Sequence, residues 1–145
     1  NDNCELHLAG DGELRTILED YAAAIGVTQK VYFHGQVNNI PKFLNSLDLY
    51  VQSSNWEGFG LAAVEAMAAG LPCLATDVEG LNDVVDKEYL FKVGDSKQLV
   101  SMIADIQSSA SNYKKLSLYS IQRAKHFSVE TTALLYKNFY KEHIK

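Results

Sequence analysis

The chain has 145 residues, of which 47% are apolar and 21% charged, and its formal net charge is −5. This length suffices for one domain with a hydrophobic core. The acidic balance argues against a nucleic-acid surface, which needs a concentrated basic face, and no apolar run approaches the roughly 20 residues that span a bilayer. Composition therefore predicts a soluble globular protein.

Apolar segments of strand type alternate with segments of helical periodicity over the first two thirds of the chain. In chain order the predictions are a strand at 5–10, a helix at 11–26, a strand at 30–35, a short helix at 39–47, a strand at 48–54, a helix at 59–69, and strands at 72–77 and 88–93. Alternation of this kind implies crossover connections and a parallel sheet.

The last third is helical. Three helices are predicted at residues 95–107, 111–127 and 128–144, with Asp95 and Ser128 as N-caps. The whole pattern predicts an α/β fold with a doubly wound parallel sheet, a helical C-terminus and a single domain over residues 1–145. Ligands of such sheets lie beyond the carboxyl ends of the strands, which points to residues 10–12, 35–37, 53–60 and 77–80.

Glu65 is an unexpected residue in the apolar helix predicted at 59–69. A helix that is apolar nearly all round is normally buried, and an unpaired ionised carboxylate there costs several kcal/mol as an order of magnitude. No neighbour one turn away can pair with it: these are Leu61, Ala62, Ala68 and Ala69. We therefore expect a partner from outside the helix, such as the hydroxyls of a ligand diol. A solvent-facing position or a distant Lys or Arg is the alternative.

Glu57 and two glycines precede this helix. Gly58 and Gly60 can expose the first N–H groups of the helix as an anion site, or they can be ordinary loop glycines. Glu57 has a simpler explanation too, since an acid before a helix favours the helix dipole.

Two weaker signals remain. The segment "GDGEL" (10–14) resembles a dinucleotide-binding turn that lacks its third glycine, because Arg15 stands at that position. Cys4 and Cys73 have no ligand-type spacing, so no metal site is predicted, and both are expected to be free, buried thiols in a reducing compartment.

The segment "EGFGLAAVEAMAAGLPCLATDVEG" closely resembles the signature of retaining glycosyltransferases of the family 4 type, which have the GT-B architecture. The segments "LHLAGDGELRTILEDYAAAIGV" and "KVYFHGQVNNIPKFLNSLDLYVQSS" are also similar to the C-terminal, Rossmann-like donor domain of this family. The resemblance extends over most of the chain.

The resemblance implies roles for particular residues. Glu57 would accept hydrogen bonds from the donor sugar, and Glu65 would bind the ribose diol. The remaining binding positions are backbone groups: Gly58, Phe59, Gly60 and Leu61 for the diphosphate or sugar, Gly10 and Gly12 along the donor cleft, and Val37 for the base. No catalytic residue is assigned.

The resemblance also implies missing parts. The family's donor domain opens with one more strand and helix, carrying an Arg and a Lys for the donor phosphates, and an N-terminal acceptor domain precedes it. We therefore expect a fragment that is inactive by itself. Without the missing strand, the strands at 5–10 and 48–54 would either pair directly or leave a gap that another chain fills.

The predicted function is donor binding in a retaining glycosyltransferase that transfers a sugar from a UDP-, GDP- or ADP-sugar to a hydroxyl acceptor. The resemblance implies no metal and no cofactor. The predicted location is cytoplasmic, which is compatible with peripheral association of the full enzyme with the inner membrane face. The alternatives are a non-catalytic nucleotide-binding or interaction module and, more weakly, an epimerase or phosphorylase on a related fold.

Overall fold

The computed structural model describes residues 4–144. Its strands are β1 (Leu6–Ala9), β2 (Val31–Gly35), β3 (Tyr50–Gln52), β4 (Cys73–Thr76) and β5 (Leu90–Phe91). Its α-helices are α1 (Arg15–Ala24), α2 (Ile40–Leu44), α3 (Leu61–Ala68), α4 (Ser96–Ser108), α5 (Ala110–Ala124) and α6 (Val129–His143). Each lies within a segment for which the same type of element was predicted, except that α4 ends one residue later and α5 begins one residue earlier.

The strands form two sheets among the described residues. β1 pairs with β2 in one sheet, and β4 lies between β3 and β5 in the other. All three pairings are parallel, which confirms the predicted α/β class. Direct pairing of β1 with β3, one of the two alternatives for the strands at 5–10 and 48–54, is absent from residues 4–144.

The chain groups into two compact units, one through Phe43 and one from Leu44. The first contains β1, α1 and β2, and the second contains β3 and everything after it. Each is described separately below, and the single domain over residues 1–145 stays a prediction.

In the first unit, α1 begins later than predicted. Its start is delayed to Arg15 because Glu13 and Leu14 form a turn, which is closed by the Arg15 N–H donating to the Gly12 carbonyl at 3.1 Å. The helix ends as predicted: Gly26 follows it with φ of 75°, a left-handed conformation that glycine adopts without strain.

In the second unit, the core lies on both faces of the sheet. All four residues of β4 are buried, as expected for the central strand of a parallel sheet. Cys73 and Ala75 pack with Met67 of α3, whereas Leu74, which points to the other face, packs with Leu116 of α5. Helices therefore cover both faces, as the doubly wound prediction requires.

The three C-terminal helices begin at side-chain caps. Asp95 accepts from the Gln98 N–H at 2.9 Å and Ser128 from the Thr131 N–H at 3.2 Å, which confirms both predicted N-caps. Ser109, which was not predicted, caps α5 in the same way. No helix within the described residues is both long and apolar enough to cross a membrane.

The two cysteines are not joined in a disulfide and lie in different surroundings. Cys73 is fully buried, and burial raises the pKa of its thiol to about 12. Cys4 is exposed, so the expectation that both thiols are buried is wrong for Cys4. The physical reason is that β1 begins only at Leu6, which leaves Cys4 outside the sheet.

This difference predicts a large contrast in thiol reactivity. The reactive form of cysteine is the thiolate, and Cys73 is both buried and protonated at pH 8, so it should react with Ellman's reagent at least about a hundredfold more slowly than Cys4. Two thiols should react after unfolding in urea. The Cys4→Ser variant is the control, and fast reaction of its one remaining thiol in the folded state would contradict the buried position.

Candidate functional site

Glu57 lies in the loop between β3 and α3, and both of its carboxylate oxygens accept hydrogen bonds. The Gln52 side-chain amide donates to Oε2 at 2.9 Å, and the Gly58 N–H donates to Oε1 at 3.1 Å. The side chain is half-buried. The carboxylate is therefore held in one place while part of it still faces solvent.

The loop that carries Glu57 is shaped by close contacts with two glycines. Gly60 precedes α3 with φ of 85°, and Gly80 has φ of 88°. A Cβ on Gly80 would lie 2.9 Å from the Gly58 carbonyl carbon and closer still to the Glu57 carbonyl oxygen. The backbone of residues 57–58 thus rests directly on Gly80, which explains why the segment "DVEG" ends in glycine.

The start of α3 presents backbone donors. The first intrahelical bond runs from the Val64 N–H to the Gly60 carbonyl at 3.1 Å, so the N–H groups of residues 61–63 precede the helical ladder. Leu61, at the first helical position, is exposed. Such N–H groups, together with the helix dipole, form an anion-binding position.

Glu65 is exposed, which corrects the expectation that it is embedded in a buried helix. The helix α3 buries only one face, formed by Ala63, Val64, Ala66 and Met67. The opposite face is exposed although it is made of small and apolar residues: Leu61, Ala62, Ala68 and Ala69. The desolvation argument for a partner of Glu65 therefore fails, and any role of Glu65 depends on its place on this open face.

The phenol of Tyr50 is influenced electrostatically by both Glu57 and Glu65. The pKa of Tyr50 is raised to about 12, chiefly by burial and then, in decreasing order, by Cys73, Glu57 and Glu65. The two glutamates, which have seven residues between them, are therefore both near enough to the start of β3 to affect the Tyr50 phenol.

Sequence reasoning missed the residues that support this loop from below. Tyr50 and Gln52 of β3 form side-chain hydrogen bonds that lead to Glu57. Thr76, buried at the end of β4, donates to the Ser54 carbonyl at 2.6 Å and holds the beginning of the loop. The available signal was a polar residue, Gln52, on the same strand face as Tyr50 at the carboxyl end of a short strand.

Phe59 has a structural contact besides its predicted backbone role. Its ring meets that of Phe127 edge to face, with centroids 5.5 Å apart, and its side chain is 44% exposed. This contact ties the loop to the turn that follows α5.

In the first unit, the loops after β1 and β2 adjoin. The Gly10 N–H donates to the Gly35 carbonyl at 2.7 Å, and Val37 follows two residues later. The Gly12 N–H donates to the Asp11 carboxylate at 2.9 Å. The structure therefore brings Gly10 and the segment next to Val37 together at one end of this sheet.

Arg15, noted in the sequence only as a replacement for a glycine, lies over this pair of loops. Its guanidinium donates to the Phe33 carbonyl at 3.3 Å and pairs with Glu19 at 2.9 Å. A Cβ on Gly35 would lie 3.2 Å from its Nη1 atom. Arg15 is thus the cation next to the predicted glycine loops of this unit.

Comparison with known proteins finds one family and many relatives. The family model described as "Glycosyl transferases group 1" matches residues 1–123. The chain is 32% identical over 133 residues to the lipopolysaccharide core biosynthesis mannosyltransferase LpsB of Rhizobium meliloti (strain 1021), covering 88% of this chain and 37% of that protein.

Two further relatives are a second curated enzyme and a solved structure. UDP-Gal:alpha-D-GlcNAc-diphosphoundecaprenol alpha-1,3-galactosyltransferase of Escherichia coli is 36% identical over 83 residues, which are 57% of this chain and 21% of that protein. Anabaena Alr3699/HepE, solved in complex with UDP-glucose, has a TM-score of 0.71 at 26% identity, covering 92% of this chain and 41% of that chain. The chain thus spans less than half of each relative.

Proposed function

The chain belongs to the glycosyl transferases group 1 family, and from that premise we propose that it is the donor-binding part of a retaining enzyme. Its fold is the Rossmann-like fold of the C-terminal half of a GT-B glycosyltransferase. The full enzyme transfers a sugar from a nucleotide sugar to a hydroxyl acceptor. A separate domain of the same protein binds the acceptor, and the chain by itself is inactive.

The observation that carries the proposal is the placement of Glu57 beside the N-terminus of α3. A carboxylate held by Gln52 and Gly58 can accept hydrogen bonds from sugar hydroxyls. The backbone donors at the start of α3 begin four residues later and suit a phosphate. A carboxylate that accepts hydrogen bonds from sugar hydroxyls, next to a site for an anion, matches the chemistry of a nucleotide sugar.

In this proposal Glu65 accepts two hydrogen bonds from the ribose diol. Its exposed position on α3 supports the role in a different way from the desolvation argument, because an open, apolar helix face leaves the carboxylate accessible to a ligand. In the first unit, Gly10, Gly12 and the backbone near Val37 are assigned to the nucleotide by resemblance. The Gly12 N–H already donates to the Asp11 carboxylate, so the role proposed for Gly12 is to let the backbone come close to the nucleotide.

The proposal includes no metal and no cofactor; the donor is a UDP-, GDP- or ADP-sugar. UDP is the first choice, because the Anabaena relative at 26% identity is solved with UDP-glucose. The proposed location is cytoplasmic, where nucleotide sugars are available, with the full enzyme at the inner membrane face.

Calorimetric titration with UDP, GDP and ADP tests the proposal. We expect one nucleotide to bind, and Glu65→Ala to weaken it about tenfold, which corresponds to roughly 1.4 kcal/mol. Glu142→Ala on α6 removes another exposed helical glutamate and should leave the affinity unchanged. Equal affinities for wild type and Glu65→Ala would remove Glu65 from the nucleotide site.

The second candidate is a non-catalytic interaction module. It is favoured by the exposed apolar side chains of α6, including Val129, Leu135 and Phe139, since α6 buries none of its residues. Absence of binding with all three nucleotides would favour this candidate over donor binding.

A further inference from the structure

Three side chains form a continuous hydrogen-bonded chain from the sheet to the loop of the proposed donor site. The Tyr50 hydroxyl donates to Gln52 Oε1 at 2.5 Å. Gln52 Nε2 then donates to Glu57 Oε2 at 2.9 Å and to Ser54 Oγ at 3.2 Å. Tyr50, Gln52 and Glu57 are all half-buried, so these bonds are partly shielded from solvent.

The direction of this Tyr50–Gln52–Glu57 chain follows from the chemistry of its members. An amide oxygen only accepts, so Tyr50 must donate, and an ionised carboxylate only accepts, so Gln52 must present its NH₂ group to Glu57. A flipped amide would place its oxygen against the carboxylate and its NH₂ group against the phenol. Glu57 therefore selects the amide orientation, which leaves Gln52 Oε1 to accept from the phenol, and both N–H groups of the amide are used.

We propose that Gln52, oriented by Tyr50, is a positioning residue that determines how Glu57 meets the donor sugar. The inference rests on the proposed function. Glu57 lies in a loop flanked by glycine, and the amide of Gln52 is the side-chain donor that holds its carboxylate. Without that donor the carboxylate can rotate away from the direction set by the structure.

The same geometry limits what Glu57 can bind. A carboxylate has about four acceptor positions, two on each oxygen. Gly58 occupies one position on Oε1 and Gln52 occupies one on Oε2. One position on each oxygen is left, which suits two neighbouring hydroxyls of one sugar ring. Gln52 should therefore affect the binding of the sugar, whereas the binding of the nucleotide should not depend on Gln52.

The experiment compares each nucleotide with its sugar conjugate: UDP with UDP-glucose, GDP with GDP-mannose and ADP with ADP-glucose. For the pair whose nucleotide binds the wild type, Gln52→Leu should lower the affinity for the sugar conjugate at least fivefold and leave the nucleotide within twofold. Tyr50→Phe should give a smaller loss of the same kind. Tyr113→Phe removes a hydroxyl elsewhere in the second unit and is the control.

The Gln52→Glu variant provides a pH profile that a merely structural role would not produce. Two adjacent carboxylates share a proton because their mutual repulsion raises the pKa of one of them. At pH 8 the variant should bind the sugar conjugate as poorly as Gln52→Leu, whereas at pH 5 the shared proton restores a donor and the loss should shrink. An unchanged loss between pH 8 and 5 would overturn the positioning role.

A ligand-free measurement separates the inference from the proposed function. The side-chain NH₂ resonances of Gln52, assigned by their loss in Gln52→Leu, should shift in both Tyr50→Phe and Glu57→Gln and stay in place in Tyr113→Phe. Unmoved resonances would overturn the hydrogen-bonded chain. If the resonances move but the wild type binds none of the three nucleotides, the proposed function fails and the donor role of Gln52 fails with it. If a nucleotide binds and Gln52→Leu shows no selective loss, the inference alone fails.

Discussion

Replacing Gly80 with alanine should lower the free energy of unfolding by about 3 kcal/mol. Part of the cost is the left-handed backbone, since an L-residue with φ near 88° loses about 1–2 kcal/mol. The rest arises because the new Cβ meets the backbone of Glu57 and Gly58, which cannot rotate away as a side chain would. The loop must shift, so the binding of a nucleotide sugar should be lost as well.

Gly94→Ala is the matched control for this prediction. Gly94 has a similar φ of 77°, but nothing lies within 4 Å of a Cβ built on it. It should therefore cost only the backbone strain of about 1–2 kcal/mol. Urea unfolding followed by far-UV circular dichroism measures both variants. Equal costs would mean that the contact of residues 57–58 with Gly80 adds nothing.

Met67→Ala should destabilise the second unit by about 2–5 kcal/mol. Met67 is fully buried on the inner face of α3 and packs in the core that includes Cys73, Ala75 and Leu81. Its truncation removes apolar contacts and leaves a cavity in a closely packed region, where neighbouring side chains cannot move in to fill the space.

Leu61→Ala on the same helix is the comparison, because both substitutions remove the same number of side-chain heavy atoms. Leu61 is 63% exposed on the outer face, so its truncation should change the stability by no more than about 0.5 kcal/mol. Urea midpoints measured for the two variants give the difference directly. A comparable loss for Leu61→Ala would show that the outer face of α3 is covered in solution.

Local patterns were sufficient to predict the elements and their type. Apolar segments of strand length at 72–77 and helical periodicity at 59–69 correspond to β4 and α3, and the boundaries moved inward by one or two residues. The caps Asp95 and Ser128 were predictable because a cap depends on residues within one turn of itself. The loops at the carboxyl ends of the strands were also identifiable, since parallel alternation determines which strand ends face the ligand.

The contacts that define the site were not accessible from periodicity. The spacing of apolar residues in α3 shows which residues share a face, but it does not show which face the rest of the chain covers, and for this reason Glu65 was expected to be buried. The same limit applies to Cys4, which was assigned to an apolar, strand-like segment although β1 begins only at Leu6.

The amino-acid sequence by itself therefore determined the α/β class, the order of elements and the position of the glycine-flanked loop with Glu57, because these depend on neighbours along the chain. Tertiary structure alone decided that Gln52 holds Glu57, that Gly80 supports the backbone of residues 57–58, and that Glu65 stands on an open face. These features depend on how strand ends and loops meet in space. Hydrogen bonds and close packing require distances and directions that residue spacing does not contain.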